Sequence, residues 1–404
     1  MKPSGPLQGL KVMELGDFIS VGYAGKLLAD LGADVIKVEH PKSGDTIRAH
    51  GPFPGDIPDK EKSGLHLFLN TNKRSITLNT SEREGRDILL KLIPRVDLII
   101  SNMTVTRVEK EGLDYEALSR DNTSLILSSI TVFGYDTPYR HWEGSALTAT
   151  AASGISKKIG DPNKQPLWIP YCAADFQGGI HGAISALLAL RMKRKTGFGQ
   201  HAWVSVIEVM SSYVGGSGGV PAFVYQGNIG SRNGSHRSSF YPWQVVPAKD
   251  GYIEVITMID KQWDRFIEVM NNPEWSKDNR LNNRWESFRW REDLDRFWHP
   301  WIKSRTRQEL FKIFSENRLP FLPVYRIDEV IESTHLEKRN FWQTVSHPIM
   351  GTYKTMGPPY RLSKNPWSIR RPAPLLGQHN GDIYIKSLGM SETSFSTLES
   401  KGVI

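Results

Sequence analysis

Cysteine is nearly absent from this sequence, and no long hydrophobic run occurs in it. Cys172 is the single cysteine among 404 residues, which excludes an internal disulfide and a metal site built from several thiolates. This cysteine usage is typical of a reducing compartment, so we expect a cytoplasmic protein. A mean hydropathy of −0.39, without an apolar stretch of about 20 residues, predicts no membrane-spanning helix and no membrane partner. Residues 1–10 also lack the apolar core of a secretory signal.

A positive net charge is the first indication of a ligand class. The chain carries 51 Lys and Arg against 43 Asp and Glu, which gives +8 at neutral pH. Such an excess attracts nucleic acid, anionic membranes, or small phosphorylated and carboxylated ligands. Here the basic residues are interspersed with acidic ones, as in 289–295, which reads RWREDLD, and they form no basic arm. We therefore predict small anionic ligands and no nucleic acid.

Alternating apolar and amphipathic segments in the first part of the chain predict a parallel β-sheet with crossover helices. Short apolar segments that read as buried strands occur at 10–15, 35–38, 75–78, 96–100 and 124–131. Helical patterns occur at 23–31 and 83–92, and the longest one lies at 180–192. This order of elements is typical of an α/β fold.

The motifs of several common enzyme classes do not occur in the context that they require. Glu39 ends the second predicted strand, where a dinucleotide site holds the ribose, but Gly16, Gly22 and Gly25 do not follow the GxGxxG spacing. The histidines form neither HxxxH nor HExxH, so no metal site is predicted. No GxSxG elbow follows a predicted strand, which disfavours a serine hydrolase.

A change in composition near residue 241 predicts a second domain. A predicted strand at 252–257 is followed by 262–314, which is dense in Trp, Arg and Asp at the spacing of amphipathic helices. A proline-rich segment at 358–374 then leads the chain back. We predict a large domain at 1–224, a smaller α+β domain at 225–330, and a return segment at 331–404 that completes the large domain.

Asp175 is the residue with the clearest catalytic potential. It precedes the longest helical pattern and is followed by Gly178 and Gly179. One interpretation is a helix N-cap, a position for which aspartate is well suited. The other is a covalent nucleophile, because a helix N-terminus favours the ionised carboxylate and such a carboxylate can attack an activated acyl group. In that case the glycines would leave room for a bulky ligand.

Short motifs follow one another in a fixed order along the whole chain. The opening 6–12 reads PLQGLKV, and 27–39 reads LLADLGADVIKVE. Further segments are GD at 44–45, NTNKRSI at 70–76, GLDY at 112–115, KTGFGQ at 195–200 and APLLGQH at 373–379. Taken together and in this order, they resemble the class III CoA-transferases, the family of the formyl-CoA and carnitine CoA-transferases.

The resemblance implies a fold, a reaction and an assembly. The fold is α/β, with a Rossmann-like large domain and a parallel sheet, and two chains interlock like rings in a homodimer or in a heteromer with a homologous subunit. The reaction is CoA transfer from an acyl-CoA to a carboxylic acid, with Asp175 as the nucleophile and with aspartyl anhydride and aspartyl-CoA thioester intermediates. No metal or redox cofactor is implied, because CoA itself is a substrate. The basic excess of the chain suits the phosphates of CoA.

By position in the matching motifs, the resemblance also implies a set of contacts to CoA. Ile19 and Ser20 lie in the first turn, and His40 follows the second strand at a place where arginine is common in the family. The other implied contacts lie after the NKRS motif, after the next strand and beyond it: Leu78, Asn79, Thr80, Asn102, Met103, Thr104 and Lys110.

Three departures from the family pattern bear on the substrate. Residues 104–106 read TVT in place of Arg-Pro-Gly, and Ser145-Ala146 replaces a Tyr-Asp pair upstream of Asp175. Residues 233–239 read NGSHRSS where formyl-CoA transferase has consecutive glycines. The missing glycines disfavour formate and oxalate and favour a larger acid. We predict transfer from succinyl-CoA to benzylsuccinate or another bulky acid.

Two alternatives remain open at the level of the sequence. An acyl-CoA racemase or isomerase of the same superfamily would bind CoA but shuttle a proton, and His141 is the histidine nearest to the required place. A non-catalytic subunit of a heteromeric CoA-transferase would keep the fold while its partner performs the chemistry. The retention of Asp175 argues against this second alternative.

Overall fold

The protein is described by a computed structural model that covers residues 5–216, 219–237, 240–364 and 367–404. Ser238 and Ser239, from the segment that replaces the glycine loop, lie outside the described residues. The chain forms two compact units. The first comprises the chain up to Ile155, Trp168–Gln226 and Glu337–Ile404, and the second comprises Ser156–Leu167 and Gly227–Leu336.

Residues 156–167, which we predicted to lie in the large domain, belong instead to the second unit. The physical reason is a set of hydrogen bonds to the chain near 230. The amide of Gly234 donates to the Gly160 carbonyl over 3.0 Å, and the Arg232 guanidinium donates to the carbonyls of Asp161 and Lys164 over 3.0 and 2.9 Å. The other boundaries of this unit lie at 226/227 and 336/337, where we predicted 224/225 and 330/331.

A six-stranded parallel sheet forms the centre of the first unit. Its strands are β1 (Lys11–Leu15), β2 (Asp34–Glu39), β3 (Arg74–Thr77), β4 (Leu98–Ser101), β5 (Ile126–Thr131) and β6 (His201–Ser205). The strand order is β3-β2-β1-β4-β5-β6, and all the neighbouring strands are parallel. This is the order of a doubly wound sheet, in which the winding direction reverses between β1 and β4. The predicted Rossmann-like sheet is confirmed.

Helices cover the sheet of the first unit. They are α1 (Phe18–Asp30), α2 (Gly64–Leu69), α3 (Arg83–Leu92), α4 (Val105–Glu111), α5 (Tyr115–Ser119), α6 (Ala146–Ala152), α7 (Ala173–Thr196), α8 (Val206–Gly216) and α9 (Gly219–Gln226). Helix α6 was not expected, because its Ala-rich sequence has no apolar period. It forms because Ser145 and Thr148 make reciprocal capping bonds at its first turn.

The second unit is a small α+β domain, as predicted. Strands β7 (Trp243–Ala248), β8 (Gly251–Ile256) and β9 (Leu322–Pro323) form an antiparallel sheet. Its helices are α10 (Asp260–Val269), α11 (Arg284–Ser287), α12 (Arg291–Lys303), α13 (Arg307–Glu316) and α14 (Ile327–Ile331). The core is aromatic: Phe266, Trp298 and Phe314 are fully buried, and the Trp298 indole donates to the Tyr241 hydroxyl over 2.7 Å.

The last part of the chain returns to the first unit. Helix α15 (Thr334–Lys338) crosses the unit boundary in sequence and is followed by the antiparallel strands β10 (Trp342–His347) and β11 (Gly351–Met356), a π-helix at Gly381–Ser387, and α16 (Glu392–Ser400). The segment is hydrogen-bonded to the edge strand β3: Asn380 Oδ1 accepts from the Thr77 amide over 2.9 Å, and the Tyr384 hydroxyl donates to the Thr77 carbonyl over 2.7 Å.

Within the described ranges, none of the helices combines the length and the apolar character needed to cross a bilayer.

Candidate active site

The loops after β1 and β4 meet where the winding of the sheet reverses. The side chain of Asn102, directly after β4, joins them: its Oδ1 accepts from the Asp17 amide over 2.9 Å, and its Nδ2 donates to the Asp17 carbonyl over 2.6 Å and to Ser20 Oγ over 3.0 Å. Gly16 leaves the space for this amide, since a Cβ there would lie 2.0 Å from Asn102 Oδ1. Ligands of open parallel sheets bind in the crevice at such a reversal.

Asp175 lies in the first turn of α7 and is not its N-cap. The cap position belongs to Cys172, which has a left-handed φ of 51° and makes no side-chain cap bond, and the Asp175 amide donates to the Cys172 carbonyl over 2.9 Å. The N-cap interpretation is therefore wrong. The Asp175 carboxylate has no hydrogen-bond or ion-pair partner among the described residues, and burial raises its pKa to about 6.

The glycines that follow Asp175 serve helix packing and not ligand access, which corrects the sequence interpretation. Gly178 and Gly179 are buried. A Cβ on Gly178 would lie 2.9 Å from Val206 Cγ2, and one on Gly179 would lie 2.7 Å from the carbonyl oxygen of Ser20. Without side chains at these two positions, α7 can approach α1 and α8 closely, and this contact places Asp175 beside the loop after β1.

Asp175 lines a cavity of about 370 Å³, here called the Asp175 cavity. Three of the predicted contact residues line it as well, namely Ser20, Asn102 and Thr104. Residues of the segment 132–145, here called the wall loop, follow β5 and line the cavity too. Apolar side chains that line the cavity are Phe18, Val105, Ile130, Val132, Phe133, Trp142 and Val206.

A second, narrower cavity of about 80 Å³ opens at the ends of the same strands, and we call it the His40 cavity. The other predicted residues that line it are Leu78, Asn79, Thr80 and Met103. The Nδ1 atom of His40 accepts from the amides of Lys42 and Ser43 over 3.3 and 3.5 Å. These bonds assign the imidazole hydrogen to Nε2, which makes Nε2 a donor.

Two predicted contact residues line neither cavity. Ile19 is 1% exposed and belongs to a buried cluster with Ile47 and Leu69. Lys110 is exposed on α4. Of the predicted residues in the His40 cavity, Leu78, Thr80 and Met103 are each buried, so they offer a ligand only a small part of their surface. The roles of all these residues as CoA contacts stay predictions.

Comparison with known proteins decides the family. The profile of CoA-transferase family III matches residues 7–380. The chain belongs to CoA-transferase family III. It is 30% identical over 404 residues to a succinyl-CoA–D-citramalate CoA-transferase of Chloroflexus aurantiacus, covering 100% of this chain and 99% of the relative. It is 31% identical over 404 residues to the beta subunit of the succinyl-CoA–L-malate CoA-transferase of the same organism, covering 99% and 98%.

A solved structure agrees with this assignment. A CaiB/BaiF family protein from Brucella suis superposes with a TM-score of 0.84 at 27% identity, over 95% of this chain and 99% of that chain. The enzyme is thus a family III CoA-transferase along nearly its whole length, in fold as well as in sequence. Among its described residues, no group of three or more His, Cys, Asp or Glu side chains is arranged to hold a metal ion.

Two arginines of this family III enzyme line the cavities, and sequence reasoning missed both. Arg107 on α4 lines the His40 cavity, where its guanidinium donates to Thr80 Oγ1 over 3.0 Å and to Glu111 over 2.8 Å. Arg140 in the wall loop lines the Asp175 cavity. Thr104, which caps α4 by accepting from the Arg107 amide, is a sequence signal that could have placed Arg107 in the first turn of the helix. For Arg140 no local signal exists, because the wall loop has no regular period.

Next to both cavities, buried charges hold the loop after β1. Burial and the neighbouring Asp45 carboxylate raise the pKa of Asp17 to about 7. Burial works to raise the pKa of Asp45 too, but the Lys37 ammonium outweighs it, and that pKa lies below its usual range. The ionised Asp45 accepts from the amides of Phe18 and Ile47 over 2.9 and 2.8 Å. Lys37 thus fixes the start of α1 through Asp45.

Proposed function

We propose that this enzyme transfers CoA from an acyl-CoA donor to a carboxylic acid, with Asp175 as the covalent nucleophile. The observation that carries the proposal is the unpaired carboxylate of Asp175 in the cavity at the reversal point of the sheet. With a pKa of about 6, most of this carboxylate is ionised at neutral pH, and its partial burial leaves it weakly solvated. An ionised carboxylate with few water contacts is suited to attack an activated acyl carbon.

The proposed reaction runs in four balanced steps. The Asp175 carboxylate attacks the donor thioester, which forms a mixed anhydride and releases the CoA thiolate. The thiolate attacks the Asp175 carbonyl of that anhydride, giving an aspartyl-CoA thioester and the free donor acid. The acceptor carboxylate then attacks this thioester and again releases the thiolate. Attack of the thiolate on the acceptor carbonyl of the second anhydride gives the new acyl-CoA and restores Asp175.

We assign the phosphate-bearing part of CoA to the His40 cavity and the reactive thioester end to the Asp175 cavity. The donor Nε2 of His40 and the guanidinium of Arg107 are groups that bind phosphate oxygens. The part of CoA between its phosphates and the thioester beside Asp175 would contact Ser20, Asn102 and Thr104. Ile19 would contribute packing only, and Lys110 would act as a nearby positive charge. In this reaction CoA is a substrate, and no metal or redox cofactor takes part.

For the substrates, we propose succinyl-CoA as donor and benzylsuccinate or a similarly bulky acid as acceptor. Both relatives named above take their CoA from succinyl-CoA, according to their names. The apolar side chains of Phe133, Trp142 and Val206 line one cavity with Asp175, which supports an acceptor with a large apolar group. His141, the residue that a racemase would use, contacts Thr106 and Glu109 and is not among the described residues that line this cavity.

A panel of acids tests the proposed function. With succinyl-CoA as donor, the purified enzyme should form benzylsuccinyl-CoA with a higher kcat/KM than formyl-CoA or oxalyl-CoA, because the apolar wall binds the larger group. The products are separated by liquid chromatography and identified by mass. A preference for formate or oxalate would contradict the choice of acceptor. Deuterium uptake at C2 of an acyl-CoA in heavy water, without any CoA transfer, would favour the racemase alternative.

We also propose that a second chain of this family covers exposed apolar helix faces of the first unit, as an interlocked dimer. Leu188 on α7 is 60% exposed, and Phe223, Val224 and Tyr225 on α9 are 58–83% exposed. Three consecutive exposed apolar side chains, as on α9, are rarely left in water. The beta subunit among the relatives is named as part of an enzyme with more than one subunit, so the partner is either a second copy or a homologous chain. The single free Cys172 supports a cytoplasmic location.

Native mass measurement tests the assembly. When the chain is expressed alone, we expect it to form a homodimer, which is a species of twice 45.7 kDa. Phe223→Glu should lower the fraction of this species, because it would bury a charge in the contact, whereas a glutamate at the exposed Thr393 of α16 should not. A chain that remains a monomer both alone and with a co-expressed homologous subunit would contradict the proposal.

A further inference from the structure

Arg140 supplies the positive charge of the Asp175 cavity. Among the described residues that line this cavity it is the one Lys or Arg side chain, whereas two carboxylates, Asp175 and Glu143, line it as well. Without Arg140, an acyl group that carries a second carboxylate would meet apolar walls and like charges. Burying an unpaired carboxylate in such a place is strongly unfavourable.

Arg140 lies in sequence between aromatic residues of the wall loop that contact one another. The rings of Tyr139 and Trp142 lie 4.4 Å apart, and both lie 6.0 Å from the ring of Phe133. Gly144 closes the loop, because a Cβ there would lie 2.7 Å from Val132 Cγ1. These contacts connect the chain on either side of Arg140 to Phe133 and Val132, two residues that line the Asp175 cavity.

Arg140 pairs with Glu109 of α4. Both side chains are well exposed, 41% and 46% respectively. Exposed ion pairs of this kind contribute only about 0–1 kcal/mol, so another carboxylate can replace Glu109 at small cost. The planar guanidinium can hold such a carboxylate through two parallel hydrogen bonds.

We propose that Arg140 is a specificity residue that binds the distal carboxylate of dicarboxylic acyl groups, and that Glu109 is the partner which this carboxylate displaces. The inference rests on the proposed CoA transfer and specifies its substrate class. The reacting end of the acid meets Asp175, and the other end is bound by Arg140. Monocarboxylic acids of the same length lack this second contact.

The experiment compares succinate with butyrate as the acyl group of the CoA donor, that is succinyl-CoA with butyryl-CoA, at one fixed acceptor acid; butyrate has a methyl group where succinate has its second carboxylate. In Arg140→Gln, the ratio of kcat/KM for succinyl-CoA to that for butyryl-CoA should fall about 10- to 100-fold, the factor typical for one lost charge-assisted contact. Arg140→Lys should restore part of the ratio. Glu109→Gln should lower the KM for succinyl-CoA, because it removes the competing carboxylate. Arg83→Gln, at an exposed arginine of α3, is the control.

Binding without turnover separates this inference from the proposed function. Succinate should raise the melting temperature of wild type in proportion to its affinity and should lose this effect in Arg140→Gln, whether or not CoA is transferred. If wild type transfers CoA and the succinate-to-butyrate ratio is the same in Arg140→Gln, the inference is overturned and the proposed function stands. Absence of CoA transfer with an Arg140-dependent succinate effect refutes the function alone. Equal succinate protection of wild type and Arg140→Gln refutes the inference in either case.

Discussion

Asp175→Asn should abolish CoA transfer and at the same time stabilise the folded protein above pH 6. The amide cannot form an anhydride with the acyl group, so no acyl-enzyme arises and turnover should fall to the background rate. In wild type, incubation with the donor alone followed by hydroxylamine should trap an adduct on the peptide that contains Asp175, and mass spectrometry should find no such adduct in the variant. The same mass measurement excludes deamidation of the new asparagine.

The stability gain follows from the raised pKa of Asp175. Burial moves this pKa from 3.8 to about 6, so between these two values the folded protein binds the proton more tightly than the unfolded chain does. The free energy of unfolding of wild type therefore falls as the pH rises through this window, and the loss is complete above it. Asp175→Asn removes the loss. The variant should gain on the order of 1–3 kcal/mol at pH 8 and almost nothing at pH 4.

Asp114 provides a matched control, because it is a true N-cap in the same unit: its carboxylate accepts from the Ala117 amide over 2.8 Å at the start of α5. Asp114→Asn should preserve both activity and stability, since asparagine caps as well as aspartate, and Asp114→Ala should lose about 0.5–2 kcal/mol. Near-normal turnover in Asp175→Asn would refute the nucleophile, and it would also be the result expected of a non-catalytic subunit whose partner performs the chemistry.

Lys37→Met should destabilise the first unit by about 3–5 kcal/mol, the range found when one member of a buried ion pair is removed. The Lys37 ammonium is completely buried, lies 2.7 Å from Glu14 Oε1 and is also paired with Asp45. Burial alone would lower the pKa of Lys37, but Asp45 and Glu14 outweigh it and raise this pKa. Methionine would leave the buried Asp45 carboxylate without its cation and Glu14 with Lys73 as its one remaining partner in an ion pair, and urea unfolding measures the cost.

Two further variants show whether charge is the cause. Lys42→Met, at an exposed lysine, should change the free energy of unfolding by less than about 0.5 kcal/mol. Adding Asp45→Asn to Lys37→Met should recover part of the loss, because Asp45 is the carboxylate that loses its cation, whereas Glu14 keeps its 2.7 Å contact with Lys73. A loss below about 1 kcal/mol in the free energy of unfolding of Lys37→Met would show that this lysine does not stabilise the buried charges around it.

The sequence predicted the sheet well for a physical reason. Strands of a parallel sheet are covered on both faces, so they appear as apolar runs, and the predicted 124–131 contains the observed β5 (Ile126–Thr131). The start of α7 was not predictable in this way. It is set by left-handed conformations at Tyr171 and Cys172, with φ of 59° and 51°, and neither residue type favours them.

The candidate site depended on long-range folding that residue patterns do not record. Lys37 lies in an apolar strand and is buried only because Glu14 and Asp45 approach it from other parts of the chain. Arg140 reaches the Asp175 cavity through an irregular loop. Asp175 itself was distinguished by the family resemblance, while its residue type and neighbouring glycines alone allowed a capping role that the structure contradicts.

The hydrogen bonds that the Asn102 side chain already makes limit which part of CoA it could bind in the proposed function. Both amide hydrogens of its side chain are already donated, to the Asp17 carbonyl and to Ser20, and its oxygen accepts one bond from the Asp17 amide. What remains for a ligand is a single oxygen lone pair. A phosphate would be repelled there, whereas an N–H group would be bound. In the proposed function, the amide-bearing pantetheine arm is therefore the part of CoA that we expect beside Asn102, with the diphosphate elsewhere.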